Sequence, residues 1–248
     1  MMSDVWEPLT KELDRWQKAG EVAAFWLRDD DAVEPTAELI RLLDLADRHE
    51  IPVTLAVIPV HTGTVLADFL ETRPLIEVAV HGWSHTNHAG AGDKKQELGA
   101  HRPAETVLTE LKSGFAKLEA LHGKRFRPVL VPPWNRITPS LIPELSRLGF
   151  QALSAFGPEE TAPLPQINTH VDLMDWHGTH GARETSALVA DIVKRLRQMS
   201  ETGGVMGMLT HHLVHDAAGW AFLAEVFEIT ARHPACRWTT LADMLLQR

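Results

Sequence analysis

One stretch of the chain, Val80-His81-Gly82-Trp83-Ser84-His85-Thr86-Asn87-His88, holds three histidines within eight residues. It follows the apolar run Pro74-Leu75-Ile76-Glu77-Val78-Ala79-Val80. His81 and His85 are four apart, so one helical turn would bring both imidazoles to the same side. Far upstream, a second apolar run, Val22 to Leu27, ends in Arg28-Asp29-Asp30-Asp31. Two imidazoles and a carboxylate gathered from strand ends can hold one divalent metal and leave a coordination position open for water. The chemistry such a set offers is metal-dependent hydrolysis.

The elements that must position these groups follow from periodicity. Val22–Arg28 reads as a strand, and Pro35 to His49 as a helix with proline at its start and Leu39, Leu42, Leu43, Leu45 and Ala46 on one face. Ile51–Val60 and Leu75–His81 read as strands around a short helix, Thr62–Thr72. Pro103–His122 is strongly helical and closes on Gly123. Pro128–Val131, Phe150–Phe156, Ile167–Met174 and Val205–His211 read as further strands. Pro139–Leu148, Glu184–Glu201, Asp216–Arg232 and Thr239–Leu246 read as helices. Roughly seven strands alternating with helices predict parallel βα units, in a barrel or an open doubly wound sheet.

The polar clusters choose between these two. Asp29-Asp30, His81, Pro132-Pro133-Trp134, Asp175-Trp176 and His211-His212 each lie just beyond the C-terminal end of an expected strand. A barrel collects its chemistry at that face, whereas an open sheet gathers fewer groups in one crevice. No Pro/Gly/Ser linker divides the 248 residues, which suits a single domain. Val5, Trp6, Leu9, Leu13 and Trp16 recur at helical spacing among charges, predicting an amphipathic helix over about residues 3–18 rather than a signal peptide. That helix has an apolar face to dock on its own barrel or on another subunit, which leaves room for a homo-oligomer.

Composition narrows the partners. The net charge of −9 argues against nucleic acid, and the basic residues are scattered. No apolar run approaches the roughly 20 residues of a membrane span. Cys236 is the single cysteine, so no internal disulfide forms, which fits a reducing compartment and a structural thiol. The expected setting is cytoplasmic, with a small-molecule or carbohydrate partner.

Taken together, the clusters resemble the polysaccharide deacetylase family, the NodB-like carbohydrate esterases. The matching segments are Asp29-Asp30, His81-Gly82-Trp83-Ser84-His85, Pro132-Pro133-Trp134, Asp172-Leu173-Met174-Asp175-Trp176 and Leu209-Thr210-His211, in the family's order. The resemblance implies a deformed (β/α) barrel of about seven parallel strands. It also implies one divalent metal, zinc first, with cobalt, nickel, iron or manganese as alternatives. The implied reaction is hydrolysis of an N-acetyl group on an amino sugar. It implies Asp29 as general base, Asp30, His81 and His85 as metal ligands, and His211 as general acid. His212 and His215 are alternatives for the acid. The chain departs from the family where Asp31 stands in place of glycine, Val131 in place of arginine and Asn135 in place of glycine. Arg136 follows at once and is the candidate to replace the missing guanidinium.

The residue types suit that reaction. Asp29 would take a proton from water, and a backbone N–H near Trp134 would hold the oxyanion beside the metal. A histidine would protonate the departing amine, with Asp175 fixing its tautomer. Trp134 and Trp176 would wall the site against an acyl methyl or a sugar face. Duller readings stand beside these: an N-cap cluster of aspartates ahead of Pro35, hydrogen-bonded core histidines, and a rigid proline loop. Two other functions compete. One is hydrolysis of another small C–N bond, in a formamide or cyclic amide. The other is a carbohydrate-binding barrel without turnover.

Overall fold

The computed structural model describes residues 4–160 and 162–247. After a 3-10 turn at Asp4–Trp6, the elements run α1 (Glu7–Lys18), β1 (Ala23–Ala32), α2 (Ala37–Arg48), β2 (Val53–Val57), α3 (Thr64–Leu70), β3 (Ile76–His81) and α4 (Ala104–His122). They continue with β4 (Phe126–Val131), α5 (Ile142–Leu145), β5 (Ala152–Leu153), β6 (Val171–Asp172), α6 (Thr185–Thr202), β7 (Met206–Thr210), α7 (Ala217–Arg232), β8 (Cys236–Trp238) and α8 (Leu241–Leu246). Strand and helix alternate as expected, except that β5 is followed by β6 with no helix described between them.

The chain divides into two compact units, and β1 contributes to both. The first comprises residues 1–29, 37–53 and 169–240. In it β1 pairs in parallel with β7, placing Asp29 opposite Thr210, and β7 pairs in parallel with β6. The start of β1 also pairs in parallel with β8. Within this unit α1 buries Leu9, Leu13 and Trp16, and the turn before it buries Trp6. Each such side chain contributes about 1.5–3 kcal/mol of apolar burial, which explains why an amphipathic segment settles here. The buried Glu12 ties α1 to α6 by accepting from Arg197 Nε at 3.1 Å.

The second unit comprises residues 30–36, 54–168 and 241–248. Its strands run in the order β5-β4-β3-β2, with parallel β3–β4 and β4–β5 pairs. Beyond β2, Ile58 N donates to Ala32 O at 3.1 Å, which seats the end of β1 in this unit. The register of β3 on β4 sets His81 opposite Val131, so the first histidine and the Pro132-Pro133 loop leave neighbouring strands at one level.

Several elements differ from their sequence reading. β1 runs on to Ala32 where Arg28 is the expected end, so Asp29 and Asp30 lie on the strand and not just beyond it. β5 keeps two residues of the expected Phe150–Phe156, because Gly157, Pro158, Pro163 and Pro165 follow and proline cannot donate to a ladder. There Ala155 N donates to the Asn168 side chain instead. β6 stops at Asp172, whose Oδ1 accepts from Met174 N at 2.9 Å and turns the chain. β8 is too short, at three residues with Pro234 just before it, to leave an alternating signature.

Candidate active site

The three aspartates of β1 serve different neighbours. Asp29 is fully buried in the first unit. Its Oδ2 accepts from Thr210 Oγ1 at 2.7 Å and from His212 N at 3.0 Å, and its Oδ1 accepts from His212 Nδ1. Burial would push this carboxyl up, but His212 beside it, with His215 and Thr210, holds it below the usual carboxylate range.

The end of β1, in the second unit, carries Asp30 and Asp31. Asp31 adopts φ +72°, outside the strand's extended backbone. Its Oδ1 lies 3.2 Å from His81 Nε2 and 3.3 Å from His85 Nε2. Asp31, His81 and His85 form a group whose donor atoms all lie within 4.8 Å of one another. The resemblance implied Asp30 in this place; the carboxylate in the group is that of Asp31. Asp30 is buried and near enough to His81 to favour its charged form.

His81 and His85 meet without the expected helical turn. His81 ends β3, and the chain then doubles back with Gly82 at φ +58° and His85 at φ +55°. The imidazole centroids lie 5.0 Å apart. A buried carboxylate that sequence reading passed over, Glu97, accepts from the backbone N–H groups of Trp83, Ser84 and His85. It sits twelve residues beyond His85 in a polar loop with no periodic signal.

The donor set fits a divalent ion. His81 Nδ1 lies 2.9 Å from Val131 O, and a carbonyl only accepts, so Nδ1 carries the proton. In neutral His81 this tautomer turns the lone pair of Nε2 toward the Asp31 oxygen, the form in which the ring can ligate a metal. Two acceptors at 3.2 Å need a proton or a cation between them. Burial would push His81 down, but Asp30 and Asp31 raise it above the ordinary histidine value. Burial and the neighbouring His81 push His85 below it. A backbone carbonyl fixing the remote ring nitrogen is the usual support of a ligating histidine.

Trp134 closes over this group, with its ring 4.3 Å from His85. Trp134 and Asn135 both take left-handed backbone, at φ 54° and 55°, and Asn135 N donates to Pro132 O at 2.9 Å. Arg136, the candidate to replace the missing guanidinium, donates from Nη1 to Lys95 O at 2.9 Å and so fastens the 95–98 segment.

In the first unit the residues after β6 and β7 form a separate cluster. Trp176 packs edge-on against His211 at 4.7 Å, and its Nε1 donates to Asp172 Oδ2 at 2.8 Å. Asp175 accepts from Gly178 N and Thr179 N, both at 3.0 Å, so its carboxylate closes a turn. Those amides, Thr179 first, hold its carboxyl below the usual range. His211 Nδ1 is buried without a hydrogen-bond partner, so Asp175 does not fix its tautomer there. His215 Nε2 accepts from His211 N at 3.3 Å, and burial pushes His215 down to about 4. It is therefore neutral near pH 7. Of the three late histidines, His212 is the one bonded to an acid of β1.

No family model matches the chain, and no curated protein matches it either. Solved structures do. One is a provisionally named polysaccharide deacetylase from Mycobacterium smegmatis, 17% identical, with a TM-score of 0.68 over 92% of this chain and 90% of that one. A family 4 carbohydrate esterase from Streptomyces lividans, solved with acetate, is 15% identical with a TM-score of 0.60 over 88% and 93%. A family 4 acetyl xylan esterase from Clostridium thermocellum, solved with cobalt, is 16% identical with a TM-score of 0.57 over 90% and 91%. The fold is thus the deformed (β/α) barrel of polysaccharide deacetylases and family 4 esterases, with parallel strands. Among the described residues, no helix is long and apolar enough to cross a membrane.

Proposed function

We propose that the protein is a metal-dependent deacetylase that removes an N-acetyl or related acyl group from an amino sugar or sugar conjugate. The observation that carries this reading is the Asp31–His81–His85 group, with the His81 tautomer set by Val131 O so that Nε2 faces the carboxylate. These three residues would hold the ion, with zinc first and cobalt, nickel, iron or manganese as alternatives. The ion would polarise the scissile carbonyl and lower the pKa of water toward about 7.

The remaining roles belong to the chain. We assign proton acceptance from water to Asp30 rather than Asp29. Asp29 already accepts three hydrogen bonds, and a carboxylate so satisfied is a weak base. Within the first unit, Asp29 fixes the tautomer of His212 and stabilises its charged form, which suits His212 to the role of proton donor. His215 is too acidic to carry that proton at neutral pH. Trp134, against His85 in the second unit, and Trp176, against His211 in the first, each present an apolar face suited to an acyl methyl or a sugar. The neighbours' names, esterase and deacetylase, support a carbohydrate substrate.

The test is acetate release by zinc-loaded protein from N-acetylglucosamine conjugates, run beside formamido sugars and cyclic ureides, with His85→Ala as control. Acetate released by wild type and lost in the control is expected. Turnover of only the formamide or ureide would change the bond assigned. Sugar binding with no product from any substrate would overturn the enzyme reading.

A further inference from the structure

We propose that Glu97 is the positioning residue that sets the affinity of the Asp31–His81–His85 group for its ion, by holding the loop that presents His85. The inference rests on the metal reading above. Glu97 is 1% exposed, and each of its oxygens accepts more than one bond. Oε1 accepts from Ser84 N at 2.7 Å, Ser84 Oγ at 3.1 Å and Trp83 N at 3.3 Å. Oε2 accepts from His85 N at 3.2 Å and Trp83 N at 3.4 Å. Successive backbone N–H groups converging in a turn make an anion-binding concavity. Here the chain supplies the anion itself.

This concavity is what returns His85 to Asp31. Past the end of a strand, side chains have no reason to come back to the same point. Residues 82–85 do so by doubling the chain over Glu97. Only glycine fits at 82: a β-carbon there would lie 2.2 Å from Glu97 Oε2 and 2.6 Å from Pro133 Cγ, at φ +58°. The segment bearing Glu97 is anchored from its other side, where Thr138 N donates to Leu98 O at 2.8 Å and Arg136 Nη1 to Lys95 O. One carboxylate therefore fastens the His85 loop to the segment that follows Trp134. Without it, His81 keeps its place on β3 through Val131, whereas His85 loses the contacts that aim it.

The experiment titrates metal-free wild type, Glu97→Gln, Glu97→Asp and His85→Ala with Zn²⁺ against a chromogenic chelator. It also records the Co²⁺ absorption spectrum and the metal-free melting temperature of each. Glu97→Gln is expected to weaken zinc binding by about 10–100-fold, the usual range for a residue that orients a ligand. Its cobalt spectrum should move toward that of His85→Ala, and Glu97→Asp should fall between. Should Glu97→Gln fail to fold, Glu97→Asp alone decides. Melting lowered with zinc affinity and cobalt spectrum unchanged would make Glu97 merely structural and overturn the inference. A wild type that takes up no zinc would overturn the metal reading, and this inference with it.

Discussion

His212 donates its Nδ1–H to Asp29, two residues before Asp31 on the same strand. The pair is closed to water, with Asp29 0% and His212 1% exposed. An acid buried against an imidazole fixes one tautomer and stabilises the imidazolium, the arrangement a proton donor needs. Asp29→Asn should therefore lower kcat by roughly 10²–10⁴-fold, the usual contribution of a positioned acid or base. Metal content by elemental mass spectrometry should be unchanged. Loss of metal in Asp29→Asn would place Asp29 among the ligands instead.

The neighbouring aspartates should separate cleanly. Asp31→Asn removes the carboxylate charge beside His81 and His85, so on the metal reading metal content and turnover should vanish together. Asp30→Asn should keep near-stoichiometric metal and lose turnover by about 10²–10⁴-fold. The reverse pattern, with metal lost only in Asp30→Asn, would restore the register implied by the family motif.

His122 predicts a pH-dependent fold. It ends α4, is 5% exposed, and neither ring nitrogen has a hydrogen-bond partner. Burial, with Arg125 nearby, pushes it down to about 4. In the unfolded chain it titrates near about 6.5, so below that pH the unfolded state binds more protons. The stability is complete above about 6.5 and is lost progressively toward pH 4, by roughly 2–3 kcal/mol in all. His122→Leu should flatten this fall. Urea midpoints of both proteins at pH 7.5 and pH 5 would measure it, and parallel drops would exclude His122 as the source. His215 shifts the same way, but it is present in both proteins and cancels in the difference.

Arg136 should behave as a strut. Arg136→Ala loses the bond to Lys95 O, an exposed contact worth about 0.5–1.5 kcal/mol at most. KM should change less than about threefold, the result expected of a strut that removes no substrate-binding energy. A tenfold rise in KM would return the guanidinium to the substrate.

Much of this was legible in the chain. Helix faces such as Leu39, Leu42, Leu43 and Ala46 announced α2, and strand ends at His81 and Thr210 located the polar clusters. The site's register was not legible, for local reasons. Three consecutive aspartates allow two assignments, and alternation alone cannot say that the backbone turns left-handed at Asp31. β7 stops at Thr210, so alternation no longer ranks His211 against His212, and the hydrogen bond to Asp29 does. Glu97 acts through the main-chain N–H groups of a turn, and main-chain groups have no letter in a sequence.

Asp31 has a consequence for anyone who would toughen this protein. Its φ of +72° is backbone that glycine adopts freely and aspartate tolerates only with strain. A screen for heat resistance would therefore reward Asp31→Gly, which relaxes the main chain and deletes the carboxylate in one step. Robustness and chemistry compete for the same position, and selection blind to turnover would drift toward a sturdier, inert barrel.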